Sequence, residues 1–192
     1  MLDGSAADSP HAGWFASIRE FIPQEMQLIE YRAVEQTMQQ LADELKQRQE
    51  SDVQDAPAIY VFIYGLQRYR ALRKTEESFS FSTTDEEKPP AADKLFADLL
   101  REGPALGMHV LAWCDTPVAL ERTLDRAMVR EFDHRVLFQM SAADSSALID
   151  SPAANKLGFY RALAYSEEQG TMEKFRPYAL PSREWMKTSQ RE

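Results

Sequence analysis

Residues 58–73 read A-I-Y-V-F-I-Y-G-L-Q-R-Y-R-A-L-R, and this stretch decides the fold class of the chain. Six consecutive apolar residues, 58–63, are typical of a central strand in a parallel sheet that helices cover on both faces. Tyr64-Gly65 ends the run, and the basic segment after it predicts a helix over 66–74. Strands of this kind often carry a carboxylate at the tip, whereas this one carries a tyrosine.

The composition is that of a globular domain. The chain has 192 residues, of which 44% are hydrophobic and 28% charged, and this length is sufficient for a substantial core. No apolar run approaches the roughly 20 residues of a membrane helix, and residues 1–10 do not resemble a signal peptide. The single cysteine, Cys114, excludes an internal disulfide and predicts a cytoplasmic protein. The formal charge of −9 argues against a surface devoted wholly to nucleic acid, but it leaves room for a local basic stripe.

The pattern along the chain predicts one α/β domain over 14–178. We expect residues 1–13 to form a disordered leader and residues 179–192 to form a tail. Residues 75–90 are polar and acidic, which predicts a long mobile loop within the domain.

Strands and helices are expected to alternate along this domain. Helices are predicted over 33–49 and 91–102, the second ended by Gly103 in the left-handed conformation. Besides 58–64, apolar runs predict strands at 26–31, 108–113, 135–140, 161–165 and 171–177, with the last two forming a hairpin. Further helices are expected from Pro117 to about residue 132 in one or two pieces, from Ser141 with Asp144 as capping-box partner, and from Asp150-Ser151-Pro152. The alternation indicates a three-layer α/β domain, in which ligands bind at the carboxyl ends of strands.

Three stretches resemble the C-terminal half of the FtsK/SpoIIIE family of motor ATPases. They are R-E-G-P-A-L-G-M-H-V-L-A-W-C-D-T-P at 101–117, F-D-H-R-V-L-F-Q-M-S-A-A-D-S-S-A-L-I-D-S-P-A-A-N-K-L-G at 132–158, and R-A-L-A-Y at 161–165. The family has a G-[IM]-H strand with a polar tip, an Arg-containing strand, a D-S pair, and a D-x-P-[GA]-A-x-K-L element before a final strand. The same pieces occur here in the same order and at nearly the same spacing. The resemblance is good over about 101–178 and weaker over 58–100.

This resemblance implies a RecA-like P-loop NTPase fold, with a mostly parallel sheet and a C-terminal β-hairpin. It also implies hexameric rings and ATP-driven DNA translocation in cell division and chromosome segregation, with ATP and Mg²⁺ as cofactors of the intact domain. Some relatives of the family drive type VII protein secretion instead.

The chain departs from the family at its catalytic positions. Active members end the central strand in an Asp-Glu pair that positions Mg²⁺ and polarises the attacking water, and Tyr64 and Gly65 replace these acids here. The phosphate-binding loop G-x-x-x-x-G-K-[ST] is absent from the sequence, so the triphosphate has no backbone cradle. We therefore predict no catalytic residue, no bound cofactor and no ATP hydrolysis for this chain alone. It is either the tail of a longer protein whose loop lies upstream, or a degenerate domain kept for its shape.

Asp115 and Thr116 are the candidates for residues near a nucleotide. They follow the strand at 108–113, at the position where the family has a polar sensor of the γ-phosphate. The alternative, which we favour, is that Asp115 caps the helix that begins near Pro117.

Two sets of arginines are candidates for contacts with DNA or with a neighbouring subunit. The first set follows the central strand, beside Gln67 and Lys74, and the second repeats every four residues: Arg68, Arg70 and Arg73, and Arg122, Arg126 and Arg130. The alternative is a solvated face, on which Glu121, Asp125 and Glu131 pair with the second set.

The remaining polar residues point to structural roles. No cluster has the spacing of metal ligands, so we predict a buried, hydrogen-bonded His109 and a core cysteine at Cys114. Trp113, Phe138 and Tyr165 are predicted to lie in the core. The pairs at 144–145 and 150–151 are expected to serve as helix starts.

Three functions are compatible with the sequence. The first is a part of a DNA-pumping motor with a structural role, packed against an upstream ATPase segment or neighbouring subunits in a hexameric ring. The second is a degenerate ATPase module of a secretion or scaffold assembly that binds protein rather than DNA. The third is an unrelated α/β enzyme that uses Asp115 with His134.

Overall fold

A computed structural model of the chain describes residues 1–51, 56–75 and 90–189. Nearly all of the loop predicted at 75–90 lies outside these described residues. The chain divides into two compact units, Met1–Met128 and Val129–Glu192, where the sequence predicted one domain.

The first unit is built on a parallel sheet of three strands. Strand β1 is Leu2–Asp3, β2 is Ile59–Tyr64 and β3 is Met108–Trp113, in the order β1-β2-β3. The register pairs Ile59 with Met108 and Tyr64 with Trp113. The predicted α/β class with a parallel sheet is therefore confirmed.

Strand β1 takes the place of the disorder that was expected over 1–13. Leu2 is 1% exposed, pairs with Ile63 of β2 and forms an isolated bridge to Ile29. That bridge is all that forms of the strand predicted at 26–31. Leu2 is thus part of the core of the first unit.

Helices supply the rest of the core of the first unit. Helix α1 is Trp14–Ile18, α2 is Val34–Glu50 and α3 is Ala92–Glu102, close to the two long helices that were predicted. Helix α2 packs against α3, and α3 contacts β3. Their apolar stripes are buried together with inward-facing Val61 and Ile63 of β2, as expected for amphipathic helices on a sheet.

The segment after β2 forms two 3₁₀ turns, Leu66–Arg68 and Arg70–Leu72, so the helix predicted over 66–74 is wrong. Tyr69 between the turns has an extended backbone, with φ −90° and ψ 92°. Leu66, Tyr69 and Leu72 are all buried, and their spacing of three matches the 3₁₀ repeat and not the α-helical one.

Gly103 follows α3 but does not adopt the left-handed conformation predicted for it. Its φ is −57°. Glycine is needed here because two backbone carbonyl oxygens lie where a side chain would begin. A Cβ at Gly103 would lie 2.3 Å from the carbonyl oxygen of Leu99 and 2.7 Å from that of Met108. The left-handed residue is Gly107, with φ 74°, directly before β3.

Arg48 joins α2 to the ends of the sheet where β2 and β3 begin. The residue is 8% exposed, and its guanidinium donates to Oε1 of Glu44 at 2.7 Å, to the Leu106 carbonyl at 2.8 Å and to the Pro57 carbonyl at 2.9 Å. The buried charge is therefore paired and hydrogen-bonded, as burial of an ion requires.

Two short helices, α4 (Pro117–Thr123) and α5 (Arg126–Arg130), follow the first sheet. They are separated because Leu124 has an extended backbone, with φ −115° and ψ 147°. Arg122 therefore lies on a different helix from Arg126 and Arg130, and the predicted stripe of three arginines is interrupted.

The second unit contains an antiparallel sheet. Its strands are β4 (His134–Leu137), β5 (Ala162–Ser166) and β6 (Thr171–Phe175), in that order. The hairpin of β5 and β6 was predicted, but β4 also pairs antiparallel, with β5.

Helical segments complete the second unit. Helix α6 is Ala142–Ile149, a 3₁₀ turn covers Pro152–Lys156, and α7 (Arg183–Ser189) lies within the predicted tail. The core consists of Leu137, Ile149, Ala154, Leu157 and Leu163, with Tyr165 packed against it as predicted. None of the helices in the described part of the chain has the length and apolar character of a membrane span.

One face of the parallel sheet carries large side chains that remain exposed. We call it the open face and define it by Tyr60, Phe62, His109, Leu111 and Trp113. Among these, Tyr60 is 57% exposed, Phe62 45%, Leu111 46% and Trp113 42%. The core position predicted for Trp113 is therefore wrong.

Two other core predictions were also wrong. Phe138 is 52% exposed. His109 is partly exposed and stacks on Tyr60, with ring centroids 5.3 Å apart, whereas a buried, hydrogen-bonded imidazole was expected.

Candidate functional site

The carboxyl ends of β1, β2 and β3 meet at one edge of the parallel sheet, which is where ligands bind in folds of this type. The Gly4 N–H donates to the Tyr64 carbonyl at 2.8 Å, and the Gly65 N–H donates to the Trp113 carbonyl at 3.1 Å. These hydrogen bonds continue the pairing of the strands into the loops that follow them. The edge therefore brings together residues 3–5, 64–65 and 114–116.

Two glycines allow the loops at this edge to approach each other. A Cβ at Gly4 would lie 2.4 Å from the Tyr64 carbonyl oxygen and 3.2 Å from that of Gly65. Gly65 itself has φ 78°, a left-handed conformation that is strained for other residues. A glutamate at position 65 would have to adopt this left-handed conformation and would therefore strain the backbone.

Tyr64 occupies the tip of β2 as part of an aromatic cluster. Its ring stacks on Trp113 at a centroid distance of 4.6 Å and an interplanar angle of 13°, and it contacts Phe15 at 5.5 Å. Stacked aromatic rings contribute about 0.5–1.5 kcal/mol beyond their buried area. The tip of the strand thus serves packing, with no carboxylate to hold Mg²⁺.

Thr116, and not Asp115, caps helix α4. The Thr116 hydroxyl accepts a hydrogen bond from the Ala119 N–H at 3.2 Å, and Pro117 is the first helical residue as predicted. Asp115 is exposed, and one of its oxygens lies 3.4 Å from the Thr116 hydroxyl. The capping role that we favoured for Asp115 is therefore wrong, and whether either residue approaches a nucleotide stays a prediction.

Cys114 has no partner for nucleophilic catalysis among the described residues. Its Sγ lies 3.7 Å from the carbonyl oxygen of Thr116. Burial raises the pKa of the Cys114 thiol, with a smaller contribution from the Asp115 carboxylate. The neutral thiol is a weak nucleophile at neutral pH.

Tyr69 is a buried residue between the two turns that follow β2. It is 2% exposed and stacks on Tyr31 at 5.7 Å. Burial, and after it the charge of Asp3, raises the pKa of Tyr69 to about 12. The phenol therefore remains protonated at physiological pH and cannot act as a base.

All six candidate arginines are exposed, and none forms an ion pair with another described residue: Arg68, Arg70, Arg73, Arg122, Arg126 and Arg130. The pairing expected with Glu121, Asp125 and Glu131 is not observed. Asp125 instead accepts a hydrogen bond from the Met128 N–H at 2.8 Å. Arg73 donates to the Gln67 carbonyl at 2.8 Å. Five of these guanidinium groups are therefore available to an anionic partner.

The two pairs at 144–145 and 150–151 serve the second unit. Ser141 caps α6 by accepting the Asp144 N–H at 3.1 Å, and its hydroxyl donates to the Asp144 carboxylate at 2.6 Å, which confirms the predicted capping box. The fully buried Ser145 hydroxyl donates to the Ser151 carbonyl at 2.5 Å and accepts the Ala154 N–H at 3.1 Å. These contacts give the motif a structural role.

Two polar anchors of the second unit were missed from the sequence. Asp133 accepts the Glu168 N–H at 2.6 Å and the Ser166 hydroxyl at 3.2 Å. Arg135 donates to the Leu148 carbonyl at 2.8 Å, and its guanidinium lies 5.6 Å from the centre of the Tyr165 ring. The available signal for Arg135 was its position directly before the apolar residues Val136 and Leu137.

The proposed pairing of Asp115 with His134 gains no support from local geometry. Asp115 belongs to the first unit and His134 to the second. The exposed His134 imidazole lies 3.4 Å from its neighbour Asp133. Within the described residues, no group of three His, Cys, Asp or Glu side chains is placed to hold a metal ion.

The residues at the edge do not fit a Mg²⁺–ATP complex. The strand tip is an aromatic residue and a glycine, and the sequence has no phosphate-binding loop. The carboxylates of Asp3 and Asp115 would repel phosphate groups. Whether this chain hydrolyses a nucleotide stays a prediction.

Solved structures with a similar fold are known. One is the genome packaging NTPase B204 from Sulfolobus turreted icosahedral virus 2 in complex with AMP, with a TM-score of 0.55 and 15% identity over 93% of this chain and 82% of that chain. This chain shares its fold. The complex of the same packaging NTPase with ATP-gammaS matches with a TM-score of 0.51 and 13% identity over 84% of this chain and 72% of that chain.

At these identities the likeness to the packaging NTPase shows the fold alone, which is that of a P-loop-type NTPase. No family model matches the sequence, and no curated protein matches it. Membership of the FtsK/SpoIIIE family therefore stays a prediction.

Proposed function

We propose that this chain is a non-hydrolysing structural part of an FtsK/SpoIIIE-like DNA motor. The observation that carries the proposal is the tip of β2, where Tyr64 stacks on Trp113 and Gly65 replaces the second acid. A motor sheet needs a carboxylate at this tip to place Mg²⁺ and water. A packed aromatic residue at this tip stabilises the sheet but supplies no carboxylate for ATP hydrolysis.

The shared fold with a genome packaging NTPase supports the motor part of the proposal. The packaging enzyme is described in complex with AMP and ATP-gammaS, and this chain spans 72% to 82% of it. A domain with the same fold and no nucleotide chemistry can complete an assembly and supply contacts to neighbouring subunits or DNA.

Exposed arginines without ion pairs are the residues that we expect to contact DNA. Arg68 and Arg70 follow β2, and Arg122 and Arg126 lie on α4 and α5. Guanidinium groups bind phosphate through paired hydrogen bonds. The formal charge of −9 requires that any such contact be local.

The alternative function is a module of a secretion or scaffold assembly that binds protein. The overall acidic charge favours this alternative, because it repels the phosphate backbone outside a basic stripe. The two functions differ in their affinity for DNA.

Filter binding of duplex DNA at 50 and 200 mM NaCl separates them. The motor proposal predicts binding at low salt that weakens by about tenfold or more at the higher salt, because counterions are released from a few phosphates. Arg68→Ala combined with Arg122→Ala is expected to weaken binding further. Arg101→Ala is the matched control, because this exposed arginine is already paired with Asp98 and Glu102. Absence of binding at low salt would favour the protein-binding alternative.

A further inference from the structure

One end of the antiparallel sheet brings together five exposed aromatic residues. The register pairs Leu137 of β4 with Leu163 of β5, and Ala162 of β5 with Phe175 of β6. The segments that follow β4, precede β5 and follow β6 therefore leave the sheet at the same end. We call this surface the aromatic end and define it by Phe138, Phe159, Tyr160, Phe175 and Tyr178, of which Phe159 is 93% exposed, Tyr160 79% and Tyr178 fully.

The loop that carries Phe159 and Tyr160 is fixed to the segment after β4. The Gly158 N–H donates to Oε1 of Gln139 at 2.8 Å. Tyr160 has φ 56°, a left-handed conformation that is costly for a bulky residue and that occurs preferentially at functional sites. A loop that is held in this way and still exposes two rings indicates a role outside the core.

The rings of the aromatic end are available to a ligand. None of the five forms a ring pair or a cation–π contact with another described residue. Single exposed apolar residues are normal on a protein surface, but a group of this size marks an interaction site.

The stretches that carry these rings are basic, in a chain whose formal charge is −9. They read F-Q-M at 138–140, K-L-G-F-Y-R at 156–161 and K-F-R-P-Y at 174–178, with four cations and no acid, although Glu173 directly precedes the last stretch. Arg161 and Arg176 are exposed and form no ion pair with a described acid. Cations interleaved with aromatic rings are typical of surfaces that bind single-stranded nucleic acid, where the rings stack on bases and the cations contact phosphates.

We propose that the aromatic end binds an unpaired nucleic-acid strand. Its bases stack on Phe159, Tyr160 and Tyr178, and its phosphates contact Arg161 and Arg176. A duplex does not suit these rings, because its bases are already stacked and present only their edges in the grooves. An acidic polypeptide would suit the arginines but would leave the flat faces of the rings without stacking partners.

This site goes beyond the proposed function and stands or fails separately from it. The aromatic end lies in the second unit, whereas Arg68 and Arg122 belong to the first. Its ligand is an unpaired strand, whereas the motor proposal concerns duplex DNA.

Fluorescence anisotropy of a labelled thymidine oligomer of about 15 nucleotides, titrated with the purified full chain in about 50 mM NaCl, tests the site. Phe159→Leu keeps an apolar side chain without a ring and should weaken binding about tenfold, as loss of one base stack predicts. Phe159→Trp keeps a ring and should bind within about twofold of the unmodified chain. Met172→Ala is the matched control, because this side chain is 44% exposed and lies near the other end of β6.

Two further variants test the remaining contacts. Tyr178→Ala should also weaken binding about tenfold. Arg161→Ala combined with Arg176→Ala should reduce the slope of log affinity against log salt by about 1.4, because each phosphate contact of a single strand contributes about 0.7. Circular dichroism establishes that the variants fold.

Four results would overturn the inference. They are absence of binding in about 50 mM NaCl, equal competition by an unlabelled duplex, equal competition by poly-L-glutamate, and folded Phe159→Leu and Tyr178→Ala variants with unchanged affinity. Competition by poly-L-glutamate would assign the surface to an acidic protein instead. Duplex binding in the filter assay should not change in Phe159→Leu, so failure of this site is distinguishable from failure of the motor proposal.

Discussion

Replacing Arg48 should destabilise the first unit more than any exposed substitution on the same helix. Its guanidinium makes three hydrogen bonds, at 2.7, 2.8 and 2.9 Å, to groups on α2, before β3 and before β2. Hydrogen bonds of charged groups contribute about 1.5–3 kcal/mol each. Because such contributions are not additive and water can reach the freed carbonyls, we expect Arg48→Ala to lower the free energy of unfolding by about 3 kcal/mol.

Urea unfolding followed by tryptophan fluorescence in a Trp185→Phe background measures this change, because the two remaining tryptophans, Trp14 and Trp113, both lie in the first unit. Arg48→Lys keeps the charge but not the fork of donors, and it should cost about 2 kcal/mol. Lys46→Ala is the control, because the Lys46 side chain is 75% exposed and lies 3.9 Å from Glu50, a pair that contributes at most about 0.5 kcal/mol. A loss below about 1 kcal/mol for Arg48→Ala would refute the reasoning.

Three further predictions follow from single residues. Gly4→Ala should lower stability by about 1–3 kcal/mol in urea unfolding, because its Cβ would lie 2.4 Å from the Tyr64 carbonyl oxygen; an unchanged midpoint would mean that β1 does not form. The hydrogen bond from Glu168 lowers the pKa of Asp133, so its stabilising effect is present above the ordinary carboxyl pKa and is lost as the pH falls through the lowered value. Asp133→Asn should therefore reduce the acid dependence of the second unit's melting temperature, and an unaltered pH profile contradicts this. Burial raises the pKa of Cys114, so its reaction with a disulfide reagent at pH 7 should be slower than in urea-unfolded protein and should accelerate with rising pH; equal rates at pH 7 would contradict this.

The long elements of the fold could be predicted because their pattern is local. Strands β2 and β3 are apolar runs, and α2 and α3 are amphipathic over 11 or more residues. Strand β1 could not be predicted, because two residues are too few for a periodic pattern. The open face was also missed, since an apolar sequence shows that Leu111 can be buried and not whether any element covers it.

Some errors concerned signals that the sequence did contain. Thr116 directly precedes Pro117, the first residue of helix α4, and the residue before the first helical position is the cap. The sequence therefore indicated Thr116, and not Asp115, as the cap. Arg48 lies three residues after Leu45 on the apolar stripe of α2, which indicates a buried charge. The packing of Tyr69 between two turns had no such signal, because it depends on the stacked partner Tyr31 from elsewhere in the chain.

We propose that this chain has the sheet of a motor ATPase without the groups that hydrolyse ATP. Steady-state release of phosphate from ATP and Mg²⁺ by the purified chain, in parallel with calorimetric titration of the same nucleotide, tests this proposal. We expect phosphate release at the rate of the buffer and no heat of binding. Turnover that elutes with the pure chain and persists through a second purification would contradict it.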